Sequence, residues 1–132
     1  MIENDIITLL ENDAILDGYL GSTAGDTRIY PIQAPQDAKA PYIVFYNVVG
    51  SLDENIDEIR LQLTINGGLD ILNLKNMRDR IKILLDKQDE LVASSTDYWI
   101  YYSKLTASES LISPDTEEFI EVMFFNIKFN KK

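Results

Sequence analysis

Arg28-Ile29-Tyr30-Pro31, continuing through Ala34-Pro35 to Ala40-Pro41-Tyr42-Ile43-Val44, is the stretch on which the reading of the fold turns. Pro31, Pro35 and Pro41 cannot donate ladder hydrogen bonds and hold their predecessors extended. Residues 31–41 are therefore expected to form an ordered, extended connector between an acidic helix and a run of strands. Tyr42 to Val49 is a nearly continuous apolar and aromatic run, the pattern of a central strand covered on both faces or of one that meets another subunit.

Upstream, Ile2, Ile6, Leu9, Leu10, Leu16 and Leu20 recur at three- and four-residue steps with a gap at Asp13. This predicts one amphipathic helix that ends near Asp17, with Glu3 and Asp5 at its positive N-terminal end. Gly18, Gly21 and Gly25 break the pattern, and Ser22-Thr23-Ala24-Gly25-Asp26 reads as a mobile loop.

Downstream, Asp53, Glu54, Asp57 and Glu58 form an acidic tip, and Ile59 to Asn66 alternates with period two, predicting a hairpin with a long charged end. Gly67-Gly68 closes that strand. A helix is expected from about Leu69 to Lys87, followed by strands at 97–105 and 117–130 separated by a polar loop at 108–115. The order helix, strand, strand, helix, strand, strand predicts an α+β sandwich: an antiparallel sheet of about four strands bearing two helices on one face.

The chain has 132 residues, 45% of them hydrophobic, which suits a single domain over 1–132 with one core. It lacks cysteine, so thiolate metal ligation and disulfides are impossible and a reducing cytoplasm is the expected place of folding. The first twenty residues hold acids but no Lys or Arg, which argues against a basic signal-peptide n-region, and no apolar run approaches the ~20 residues of a membrane span. A formal net charge of −10 opposes tight binding of nucleic acid.

Histidine is absent as well, so the commonest general base and metal ligand is missing, and Ser-His and Cys-His nucleophile systems are ruled out. The acidic tip could supply oxygen ligands to calcium or magnesium, but it lacks the alternate-position acids, central glycine and terminal glutamate of a helix-loop-helix calcium site. A solvated tip, or an acidic contact to a basic partner, fits it better. Asn66-Gly67-Gly68 lies where backbone amides can cradle phosphate. It has neither phosphate-loop pattern, and a tight turn needing positive φ accounts for it. No cofactor is expected.

The last strand places Phe119, Met123, Phe125, Ile127 and Phe129 on one face and Ile120, Val122 and Phe124 on the other. Strict alternation in 97–105 puts Trp99 and Tyr101 on one face and Tyr98, Ile100 and Tyr102 on the other. If two helices cover one side of the sheet, the other is left for the proline connector or for another subunit. The mixed charges of the second helix, from Lys75 to Lys87, are either solvated or face the acidic helix or hairpin tip of a neighbour.

The short opening helix, Arg28-Ile29-Tyr30-Pro31, Ala34-Pro35, Pro41-Tyr42-Ile43-Val44, the outgoing strand Leu61-Gln62-Leu63-Thr64-Ile65, the second helix and two closing strands together resemble the tail completion or tail terminator proteins of long-tailed bacteriophages, prophages and related tailed particles. The resemblance covers nearly the whole chain, with one departure at Asn66-Gly67-Gly68, where a longer link is usual. It implies a non-enzymatic structural protein, assembled in the host bacterial cytoplasm and resident at the tail or neck of the virion. Such a protein forms a hexameric ring that caps the tail tube, ends its polymerisation and presents the joining surface for the head. A head-closure or adaptor protein of the neck is the alternative within that class, and a carboxylate-dependent metal-binding hydrolase or a regulatory binding module lies outside it.

On the ring reading, subunit contact falls to Tyr98, Ile100, Tyr102, Ile120, Val122 and Phe124. Docking to the tail tube protein or head connector falls to Ser22, Thr23, Asp26, Asp53, Glu54, Asp57 and Glu58. No membrane partner is implied.

Overall fold

The computed structural model describes residues 2–22, 26–50, 57–94 and 98–132. Its elements are α1 (Ile2–Glu11), α2 (Ala14–Leu20), β1 (Ile29–Pro31), β2 (Tyr42–Gly50), β3 (Asp57–Asn66), α3 (Ile71–Leu85), β4 (Ala93–Ser94), β5 (Tyr98–Ile112) and β6 (Phe119–Lys131). The strands form one six-stranded sheet in the order β1-β2-β3-β6-β5-β4, curled as a half-barrel. β1 runs parallel to β2 and every other pairing is antiparallel.

This corrects the expected four-stranded antiparallel sheet with two helices. The extra helix arises at Asp13. Its backbone is extended (φ −85°, ψ 111°) and its carboxylate accepts from the Leu16 amide at 2.9 Å, so it caps a new helix where a continuous one was expected. Gly21, in the left-handed region at φ 70°, ends that helix.

The two extra strands are short edge pieces. Ile29–Pro31 was expected to lead into an extended connector, but it pairs alongside Ile43–Phe45, with the Ile43 amide donating to Arg28 O and the Ile32 amide to Phe45 O. An edge strand tolerates Pro31 because the missing donor faces away from the ladder. At the opposite edge, Ala93 and Ser94 pair with Ile100 and Trp99.

β5 also runs through Ile112, where a polar loop was expected from Ser108. The hydroxyls of Ser108 and Ser110 donate to the carboxylate of Glu121 on β6, so these polar residues have a partner inside the ladder. The expected pairing of β2 with β3 is present, while the tip residues 51–56, including Asp53 and Glu54, lie outside the described residues.

One side of the sheet makes the core. Ile43, Phe45, Leu61, Leu63, Ile65, Met123, Phe125 and Ile127 are buried against Ile6, Leu10, Leu16 and Leu20 of α1 and α2 and Leu74, Met77, Ile81 and Leu85 of α3. α3 is capped by Asp70, whose carboxylate accepts from the Asn73 amide at 3.0 Å.

The preceding turn explains both glycines. A Cβ on Gly67 would stand 2.7 Å from Leu74 Cβ, and Gly68 has φ 66°. Their amides are already engaged: Gly67 donates to Phe119 O and Gly68 to Asn66 Oδ1. The turn therefore fastens β3, α3 and β6 together and offers no free cradle for phosphate.

Candidate assembly interface

The sheet face away from the helices carries Tyr42, Val44 and Tyr46 of β2, Glu58, Arg60, Gln62 and Thr64 of β3, and Ile120, Val122, Phe124 and Lys128 of β6. Its apolar groups are half-buried at most, and Tyr46 is exposed. The connector of residues 32–38 lies along one margin, so that Ile32, Pro35, Tyr42, Val44, Thr64 and Ile120 border an open groove. Cations cover the aromatics elsewhere: the Arg60 guanidinium sits 4.7 Å from the Phe124 ring centre, Lys128 Nζ 4.6 Å from Tyr102 and Lys132 Nζ 5.4 Å from Trp99. The face is amphipathic: the apolar outward residues expected of β6 stand beside the polar Glu58, Arg60, Gln62 and Thr64 of β3.

A bulge decides which aromatics belong to it. The β5–β6 register passes from Ile100↔Phe129 to Tyr102↔Lys128, leaving Tyr101 without a counterpart. Tyr98 and Ile100 therefore turn to the helix side, where Ile100 is fully buried and Tyr98 meets Phe129 edge-on at 5.4 Å. Tyr102 turns to the other side with Ile120, Val122 and Phe124. Strict alternation had grouped Tyr98, Ile100 and Tyr102, because an extra residue in a strand leaves no compositional mark.

The residues expected to dock partners are placed as follows. Ser22 Oγ donates to Thr27 O at 2.7 Å, and the Asp26 carboxylate accepts from the Arg28 amide at 2.9 Å and from the Tyr30 hydroxyl at 3.0 Å. Burial, and then that bond to Asp26, raises the Tyr30 phenol above its ordinary pKa. Glu58 lies opposite Lys128 in the ladder. Asp57 opens β3, and Thr23 lies outside the described residues.

A second surface was missed by sequence reasoning. Between the first turns of α3 and the closing end of the β5–β6 hairpin lies a cleft of about 180 Å³, walled by Ile71, Leu74, Leu111, Ile112 and Phe119. Ile71, Leu111 and Ile112 are exposed on its lips. Its polar end holds Glu121, only 2% exposed, which accepts from Ser108 Oγ at 2.6 Å and from Ser110 Oγ and stands 3.9 Å from the Arg78 guanidinium. The signal was Glu121 itself, a charge on the face shared by Phe119, Met123 and Phe125.

The α1–α2 corner is acidic. Two hydrogen bonds from Arg80 hold the Asp13 carboxyl below the ordinary range, against a smaller opposing effect of burial. Burial, then the charge of Asp17, raises Glu11; burial, then Asp13, raises Asp17. Among the described residues no group of three or more acids is placed to hold a metal ion.

No protein-family model matches the sequence, and no curated protein matches it. Its fold is similar to that of a chain in a solved structure described as the virion of a native gene transfer agent particle. That similarity has a TM-score of 0.74 at 12% identity and covers 99% of this chain and 95% of that one.

Proposed function

We propose that this chain is a non-enzymatic structural protein of a tailed virion, assembling as a hexameric ring on the end of the tail tube. There it ends tube polymerisation and forms the surface to which the head joins. The observation that carries this reading is the fold shared, over nearly its whole length, with a chain of a gene transfer agent virion. Two exposed surfaces suit the role: the amphipathic sheet face and the apolar lips of the cleft at α3. A ring needs two different, complementary patches on each copy, whereas a two-fold dimer needs one patch that matches itself.

The test is to polymerise the cognate tail tube protein with and without this chain and image the ends by electron microscopy. A ring on one end of each tube, with growth halted there, is the expected result. Tubes of unchanged length with bare ends would remove the tail-cap reading, and binding to a portal or connector ring instead would move the protein to the neck.

A further inference from the structure

Asp89-Glu90-Leu91 projects from the fold on a fixed base. Before it, Lys87 exchanges two backbone hydrogen bonds with Ser103, at 2.9 and 2.8 Å; after it, the Val92 amide donates to Ile100 O at 2.8 Å. All three residues are exposed, and Leu91 keeps 55% of its surface. An isolated exposed leucine is ordinary. One that directly follows two acids on a pinned loop, at the opposite end of α3 from an apolar cleft, has a complement on the same molecule.

We propose that Leu91 of one copy inserts into the cleft at Ile71, Leu111 and Ile112 of the next, with Asp89 and Glu90 meeting Lys75 and Arg78 on its rim. Size agrees: a cavity of about 150 Å³ lined by aliphatics accepts a benzene-sized guest, so the cleft's 180 Å³ suits one branched side chain. Charge agrees too, because Lys75 is exposed and forms no ion pair among the described residues, and the incoming Leu91 is preceded by two carboxylates, Asp89 and Glu90.

Direction favours a second copy. The cleft is built on the first turns of α3 and Leu91 follows its last turn, so a helix of 15 residues, about 22 Å long, separates them. A chain cannot fill its own cleft, and the two patches differ, as a head-to-tail contact requires. Pinning the loop in advance lowers the ordering cost of binding. The contact deepens the ring reading and rests on it for the identity of the occupant.

Because the chain has no cysteine, introduced thiols report the contact without background. Glu90→Cys and Leu111→Cys copies, mixed, allowed to assemble and oxidised, are expected to give a disulfide-linked dimer that neither gives alone. Leu91→Ala is expected to weaken self-association about 10- to 100-fold with an unchanged circular dichroism spectrum, while Ile15→Ala, at another exposed aliphatic, leaves it unchanged. Copies that associate without the mixed disulfide, or that respond to Ile15→Ala and not to Leu91→Ala, overturn the contact and leave the ring standing. The mixed disulfide in open chains supports the contact and removes the ring. Copies that fail to associate, alone or on tubes, remove both.

Discussion

Arg80 grips Asp13 with two bonds, Nη2 to Oδ1 at 2.7 Å and Nε to Oδ2 at 2.9 Å, while Asp13 Oδ2 also accepts from the Leu16 amide. One carboxylate thus caps α2 and ties it to α3. Asp13→Ala should cost about 0.5–2 kcal/mol from the cap alone, and Arg80→Ala should destabilise in the same direction by releasing α2.

The pH dependence has two opposing parts. Asp13 has a lowered folded pKa, so its contribution is present above its unfolded value and fades as pH falls through the folded one. Glu11 and Asp17 are raised, so between their ordinary and raised values the folded state binds more protons, and stability falls as pH rises through that window. Asp17→Asn is expected to raise Tm at pH 7 by relieving that charge, with the gain gone in acid below the ordinary aspartate range. An equal gain at both pH values would refute the charge account.

Gly67→Ala drives a methyl group to within 2.7 Å of Leu74 Cβ, and both the strand end and the helix start are held by neighbours. A cost of about 1–3 kcal/mol is expected, read as a lower urea midpoint with the same m-value.

Ile100→Ala should cost about 2–5 kcal/mol, because the side chain is fully buried in this chain's own core. Val122→Ser and Phe124→Ser, on the half-buried far side, should lose much less stability and show their effect in assembly. Thermal melts run beside assembly assays separate the two classes; a mild Ile100→Ala would mean that the β5 register is wrong.

Glu121→Ala strips the acceptor from Ser108 and Ser110 and the nearest buried charge from Arg78. A loss of about 1–3 kcal/mol is expected. Glu121→Gln, which keeps an oxygen acceptor, should recover part of it in the same denaturant titration.

Long periodic signals carried the main elements. Apolar spacing located the first and third helices and period-two alternation located β3, since both patterns are enforced by burial on one side, while a run of strand-favouring apolar and aromatic residues located β6. What escaped was set by single residues or by pairings. Asp13 reads equally well as a gap in a helix or as a cap, and only its bonds to Leu16 and Arg80 decide. Ile29–Pro31 and Ala93–Ser94 are too short to show any period and become strands through their neighbours. The cleft was invisible because its walls come from α3 and from a hairpin end whose serines looked like loop.

The surplus positions at Tyr101 and Thr106 make β5 forgiving at two places, of which Tyr101 is the first. Removing that residue would leave Ile100 opposite Phe129 and Tyr102 opposite Lys128, as now, so a chain one residue shorter keeps its inside and its outside. Deleting Ser103 instead would invert the stretch between the two bulges, so natural length variation in this ribbon is expected to gather at Tyr101 and Thr106.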